Sequence, residues 1–159
     1  MARGITVGAS KRVWRDLSFD WDRAIPLDAE ELAEGGMEEA YARIAKEFRK
    51  LGVGLAPVQS LSDAEGYAIA CGGRTIQVYR ERDVAKGGLQ GMATVALFDL
   101  VNGQLCDQPF RLWALLGGND LCGIILSEDE AIKARKKLPR KQDWPYLPRL
   151  GDAWLGMHH

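Results

Sequence analysis

The chain has 159 residues and a formal net charge of −1, a length expected to form one domain spanning 1–159. Such a domain buries roughly 70% of the surface its unfolded chain exposes, so it needs neither a disulfide nor a metal to fold. A content of 47% apolar and 27% charged residues excludes a disordered chain. No apolar run approaches the ~20 residues of a membrane span, and the N-terminal MARGITVGASKRVWRD lacks the apolar core of a secretory signal, so a cytoplasmic location is expected.

In chain order, Ile5 to Val7 predicts a short strand. Residues 11–26 mix charge and aromatics and predict a loop or irregular strand. Within them Leu17, Phe19 and Trp21 alternate with Ser18, Asp20 and Asp22, which suits an edge strand with one apolar face. Asp28 reads as a helix N-cap, with Glu31 three residues on to complete a capping box and Pro26 marking a sharp entry. Leu32, Met37, Tyr41, Ile44, Phe48 and Leu51 then recur at helical spacing. Gly35-Gly36 splits this stretch into a short helix and a longer one, and Gly52 is a natural left-handed stop.

Two hairpin–helix blocks follow. In the first, Tyr67 to Cys71 and Thr75 to Arg80 flank Gly72-Gly73, which can supply the positive φ angles of a tight hairpin. The helix after it, Gly88 to Gln104, is apolar nearly all the way round and is expected to be buried. In the second, Phe110 to Leu116 and Leu121 to Leu126 flank Gly117-Gly118-Asn119-Asp120. Ser127 caps the next helix, Glu130 closes its capping box, and Lys133, Arg135, Lys136 and Lys137 suit its last turns. Pro139 ends that helix. The tail from Arg140, with Trp144, Pro145, Pro148 and Trp154, is expected to run extended over the domain surface. The order predicts an α+β fold: an antiparallel or mixed sheet built from two hairpin–helix blocks, with helices packed on it.

Charge is the most uneven property. From Asp16 to Glu39 nine acidic side chains stand against one basic residue, Arg23. Helix first turns favour carboxylates, so a solvated face explains part of this. The other reading is a protein-binding surface, because aromatics are frequent binding anchors and Trp14 and Trp21 flank the acids. That reading places partner binding on Trp14, Asp16, Asp20, Trp21, Asp22, Glu31, Glu34 and Glu38. The carboxylates would repel nucleic acid phosphates and attract a basic protein surface. The complement lies in Lys133, Arg135, Lys136, Lys137, Arg140, Lys141 and Arg149, set against Asp143. With Trp144 and Tyr146 interleaved, that stretch could bind RNA or phosphate. It also suits a helix C-terminus, and the acidic stretch would balance it if the fold brings the two together.

Catalytic signals are sparse. The only histidines, His158 and His159, end the chain and read as remnants of a tag, which removes histidine bases and histidine-rich zinc sites. Cys71, Cys106 and Cys122 are widely spaced, without the Cys-x-x-Cys pattern of a metal site. Cys71 and Cys122 are expected in the core and Cys106 in a loop. Asp99 needs a partner or a solvent-facing slot on the buried helix. Glu81 and Asp83 at a strand end are an unspecific carboxylate pair. No cofactor or metal is expected from these patterns.

Gly87 to Thr94, GGLQGMAT, is expected to follow a strand and open a helix, where free N–H groups could hold a pyrophosphate. It lacks the Gly-Lys-Ser/Thr of a P-loop. It is similar in part to the acetyl-CoA-binding turn of the GNAT-type N-acetyltransferases, Gln/Arg-x-x-Gly-x-Gly/Ala. Gly91 and Ala93 stand at the last two positions, and Gly88 stands where Gln or Arg belongs. This resemblance implies an acyl-CoA-dependent N-acyltransferase with Gly88, Gly91 and Ala93 at the cofactor. The alternative is that small residues let a buried helix approach the sheet. In kind rather than in motif, the chain resembles small bacterial immunity and antitoxin proteins. That resemblance implies a non-enzymatic domain that neutralises a toxin, for example a nuclease, by covering its basic active-site surface, with no membrane role. A third reading is a structural or adaptor homodimer joined through the aromatic tail.

Overall fold

The computed structural model describes residues 24–150. Helices α1 (Ala29–Ala33) and α2 (Met37–Lys50) form where the sequence spacing predicts, split at Gly35-Gly36. Asp28 Oδ1 accepts from the N–H groups of Glu30 and Glu31 and so caps α1. Gly35 turns the chain at φ 99°, and Gly52 stops α2 at φ 80°. A Cβ on Gly36 would lie 2.7 Å from the Glu31 carbonyl oxygen, so this joint requires glycine for space as well. The expected strands at Ile5–Val7 and at Leu17, Phe19 and Trp21 lie outside the described residues.

The first block forms an antiparallel sheet of β2 (Val58–Asp63), β3 (Gly66–Cys71) and β4 (Arg74–Arg80), in that order. Gly72 and Gly73, at φ 55° and 79°, make the two-residue turn between paired Cys71 and Arg74. Strand β2 was not expected from the sequence: four of the six residues of VQSLSD are exposed, leaving little apolar signal. A short helix α3 (Glu81–Val84) separates β4 from α4 (Leu89–Asn102). The second block forms a separate antiparallel sheet, ordered β1 (Ile25–Pro26), β6 (Cys122–Ser127), β5 (Phe110–Leu115). The fold is α+β as expected, with two small antiparallel sheets instead of one.

Helix α4 explains the division. It touches β4 on one side and β5 on the other, and packs on α1. Ala93, Leu97, Phe98 and Val101 are almost fully buried, so the helix must be apolar around most of its girth. Asp99 takes an exposed position on it, where partial desolvation still raises its carboxyl pKa. At its C-terminal end the Asn102 side chain donates to the Leu112 carbonyl (3.0 Å) and accepts from the Leu112 N–H (2.8 Å), fastening α4 to β5.

The β1–β6–β5 sheet is buried on both faces. Leu112, Ala114, Leu121 and Ile125 join the main core with α1, α2, α4 and the other sheet. Trp113, Leu115, Cys122, Ile124 and Leu126 face a second core under α5 (Glu128–Lys137) and the tail. Period-two alternation thus feeds two cores from one sheet. Helix α5 carries the expected capping box: Ser127 Oγ accepts from Glu130 N–H, and Glu130 Oε1 accepts from Ser127 N–H.

The tail makes a 3₁₀ turn at Lys141–Asp143, where an extended path was expected, and then bridges the edge of β5. Tyr146 exchanges two backbone hydrogen bonds with Ala114, at 2.8 and 3.0 Å. Trp144 Nε1 donates to the Leu138 carbonyl, and Arg140 pairs with the buried Asp143. The Arg135 guanidinium lies 5.5 Å from the Trp113 ring centroid and reaches the Pro145 carbonyl, while its buried Nε finds no acceptor among the described residues.

Two tyrosines join the helices to the β2–β3–β4 sheet, and a third ties α2 to the segment that enters that sheet. Tyr67 Oη accepts from the N–H of Met37, the first residue of α2. The Tyr79 hydroxyl donates to the carbonyl of Ala33, the last residue of α1. Both backbone groups are helix-end orphans. The two rings meet edge to face at 5.7 Å. The Tyr41 hydroxyl donates to the Ala56 carbonyl and accepts from Gln104 Nε2, while Gln104 Oε1 accepts from Ala56 N–H.

The Tyr67→Phe variant leaves the buried Met37 N–H unpaired and is expected to lose about 1–3 kcal/mol in urea unfolding. Burial pushes the Tyr41 phenol from 10.0 up to about 12, against the lowering hydrogen bond from Gln104. The neutral phenol is therefore favoured in the folded state. Its stabilisation is complete below pH 10.0 and is lost as pH rises from there towards about 12. Stability measured against pH should fall over that interval, and Tyr41→Phe should flatten the fall.

Candidate functional site

Helix α1 is short, and its placement follows from three small or apolar contacts. Ala29, Leu32 and Ala33 pack inward, so the helical period turns Glu30, Glu31 and Glu34 outward. After the Gly35-Gly36 joint, Met37 and Ala40 pack inward and Glu38 and Glu39 are exposed in the first turn of α2. From Asp28 to Ala42 the chain holds six acidic residues and no basic one. The N-terminal dipoles of α1 and α2 favour carboxylates at Glu30, Glu31, Glu38 and Glu39. Glu34, in the C-cap position of α1, has no such support.

The expected partner-binding residues divide into three groups. Trp14, Asp16, Asp20, Trp21 and Asp22 lie outside the described residues. Glu31 and Glu34 are exposed on the outer side of α1. Glu38 is exposed but has a structural role: its Oε1 accepts the N–H of Ser60 on β2 at 2.7 Å and ties that strand to α2. Glu30 and Glu39, which the partner-binding expectation omits, share the surface with Glu31 and Glu34. Among the described residues, Glu30, Glu34 and Glu39 form no ion pair with a basic side chain.

The basic stretch lies elsewhere. Helix α5 packs on the second-core face of the β1–β6–β5 sheet, whereas α1 and α2 pack into the main core on the opposite face. The described acidic residues of α1 and α2 and the basic residues of α5 are therefore on opposite sides of a sheet and do not neutralise one another. Lys133, Lys136 and Lys137 are exposed near the C-terminal end of α5, where they complement its dipole. Arg135 and Arg140 instead hold the tail, through Pro145 and Asp143. Lys141 and Arg149 are exposed. Of the tryptophans, Trp113 is buried in the second core and Trp144 is partly buried against it.

The Gly87–Thr94 segment follows α3, not a strand. Gly87 and Gly88 are exposed at φ 75° and 79° and lead into α4. Gly91 and Ala93 are buried on α4. Asp83 Oδ2 accepts from the Arg80 N–H, giving that carboxylate a local turn-forming role. Cys71 and Cys122 are buried and Cys106 is exposed, with its Sγ on the Gly103 carbonyl. Burial, and then the charge of Asp120, push the Cys122 thiol up to about 12, which leaves it inert as a nucleophile. Among the described residues no group of three His, Cys, Asp or Glu side chains is placed to hold a metal ion, and no helix is long and apolar enough to cross a membrane.

Glu38 can be told apart from its neighbours by stability. Replacing it with alanine strands the Ser60 N–H and is expected to cost about 0.5–1.5 kcal/mol in chemical unfolding. Alanine at Glu34 or Glu39 should stay within about 0.5 kcal/mol of wild type.

No family model matches the chain, and no curated protein or solved structure matches it either.

Proposed function

We propose that this chain is a non-enzymatic protein-binding domain, a cytoplasmic immunity protein that neutralises a toxin by covering a basic active-site surface. The observation that carries the reading is the display of carboxylates on the α1–α2 corner. Glu30, Glu34 and Glu39 are exposed there without described counter-ions, on a backbone held by Asp28, Tyr67 and Tyr79. Charged groups on a rigid support lose little freedom on binding, and their field speeds encounter with a basic partner. The basic residues of α5 face away across the β1–β6–β5 sheet, so they do not cancel the acidic field of this corner. Trp14, Asp16, Asp20, Trp21 and Asp22 precede this corner in sequence and would extend the surface.

The test is co-expression with each gene adjacent to its own. A neighbour that arrests growth alone and is harmless together with this chain supports the proposal. In the purified pair, the Glu30→Lys, Glu34→Lys, Glu39→Lys triple variant should slow association by at least about tenfold at low salt and flatten its salt dependence. An unchanged association rate in a variant that retains wild-type unfolding would refute the acidic-surface model.

A further inference from the structure

Leu116 is the one non-glycine residue among those described with positive φ, at 60°. The left-handed region costs an L-residue energy, and a bulky residue there is held by its surroundings. Two features hold it. Its side chain is buried in the second core, beside Trp113, Leu115 and Cys122. Its carbonyl accepts the hydroxyl hydrogen of Tyr146, which the tail has already fixed beside Ala114.

The turn that Leu116 begins is continuous with the entry to α1. Gly117 is extended, and Gly118–Asp120 forms a single 3₁₀ turn closed by Asp120 N–H on the Gly117 carbonyl. That turn packs on α1. The next carbonyl, Leu121, accepts from Leu27 N–H at 2.9 Å, one residue before the Asp28 cap. A chain of bonded groups thus runs from the tail on one side of the β1–β6–β5 sheet to the acidic helix on the other.

We propose that Tyr146 and Leu116 are positioning residues for the α1 carboxylates. The docked tail, through the Tyr146 hydroxyl, holds Leu116 left-handed. The left-handed Leu116 aims the 116–121 turn so that the Leu121 carbonyl meets Leu27 N–H and seats α1. Release of the hydroxyl lets Leu116 relax, shifts the turn and loosens the start of α1. The effect on partner binding rests on the protein-binding reading of the α1–α2 corner. The coupling between tail and helix does not, and it can be measured on the free protein.

The experiment is residue-resolved hydrogen exchange on the full chain in four forms: wild type, Tyr146→Phe, Leu116→Gly, and the two substitutions together. Tyr146→Phe keeps the ring and the backbone bridge and removes only the hydroxyl. It should speed exchange roughly two- to tenfold at Asp120, Leu121, Leu27 and Leu32, with Leu97 in α4 unchanged. Glycine at 116 adopts the left-handed backbone without strain. In the Leu116→Gly background, adding Tyr146→Phe should therefore produce no further rise at Leu27 or Leu32. A rise that stops short of Leu27, an equal increment in both backgrounds, or a uniform rise that includes Leu97 would each overturn the proposal. The first would mean the tail bond is local. The second would mean that the strain at Leu116 carries nothing, and the third that the hydroxyl acts on global stability alone.

Discussion

The arrangement depends on how two helix ends are satisfied at one glycine joint. Where α1 stops and α2 starts, a carbonyl and an N–H lose their helical partners within four residues. Tyr79 and Tyr67, paired across adjacent strands, supply a donor and an acceptor respectively from the same patch of sheet. The phenol is suited to this, because one hydroxyl can give or receive while the ring buries apolar area. The joint in turn fixes which sides of α1 and α2 face solvent, and hence where the carboxylates stand. Gly36 has little freedom to be replaced, since the turn brings its Cα against the Glu31 carbonyl.

Helix α4 plays the corresponding part for the rest of the chain. A helix placed between two sheets must present apolar residues to both, and a helix apolar around its girth has no other stable place in water. The second sheet then has a face left over. That face is covered by an amphipathic helix and by the tail, whose prolines suit an extended path. Attachment of the tail has its own cost, visible in the Arg135 Nε that is buried without an acceptor. The stacking of that guanidinium on Trp113 and the Arg140–Asp143 pair offset it.

Local chemistry was legible in the sequence where a few adjacent residues decide it. Asp28 announced a cap, Gly72-Gly73 a hairpin, and Ser127 with Glu130 a capping box, because each works through its own backbone within three residues. The girdle of apolar residues on α4 likewise announced burial. Strand β2 was not legible: VQSLSD exposes four of its six side chains, and one of its edge groups is answered by Glu38, 22 residues earlier. The division into two sheets was hidden for a related reason, since hairpin signals say which strands pair and not what lies between the pairs. At the candidate site, exposure of Glu31 and Glu34 followed from helical period. The structural duty of Glu38 and the company of Glu30 and Glu39 depend on tertiary placement.

The Asn102 amide has a consequence for how this protein can meet other chains. An outer strand normally offers its unpaired backbone as a template for another strand to join. On β5 that template is already spent: the Leu112 groups are taken by the Asn102 side chain and the Ala114 groups by Tyr146. At the other border β1 is two residues long, too short to recruit a partner strand. On the β2–β3–β4 sheet the Ser60 N–H of β2 is occupied by Glu38. Edge-to-edge growth, the common route from folded sheet to fibril, is thus obstructed at both borders of the β1–β6–β5 sheet. Recognition there must be written in side chains, which can be exchanged one at a time, and not in a backbone that every chain shares.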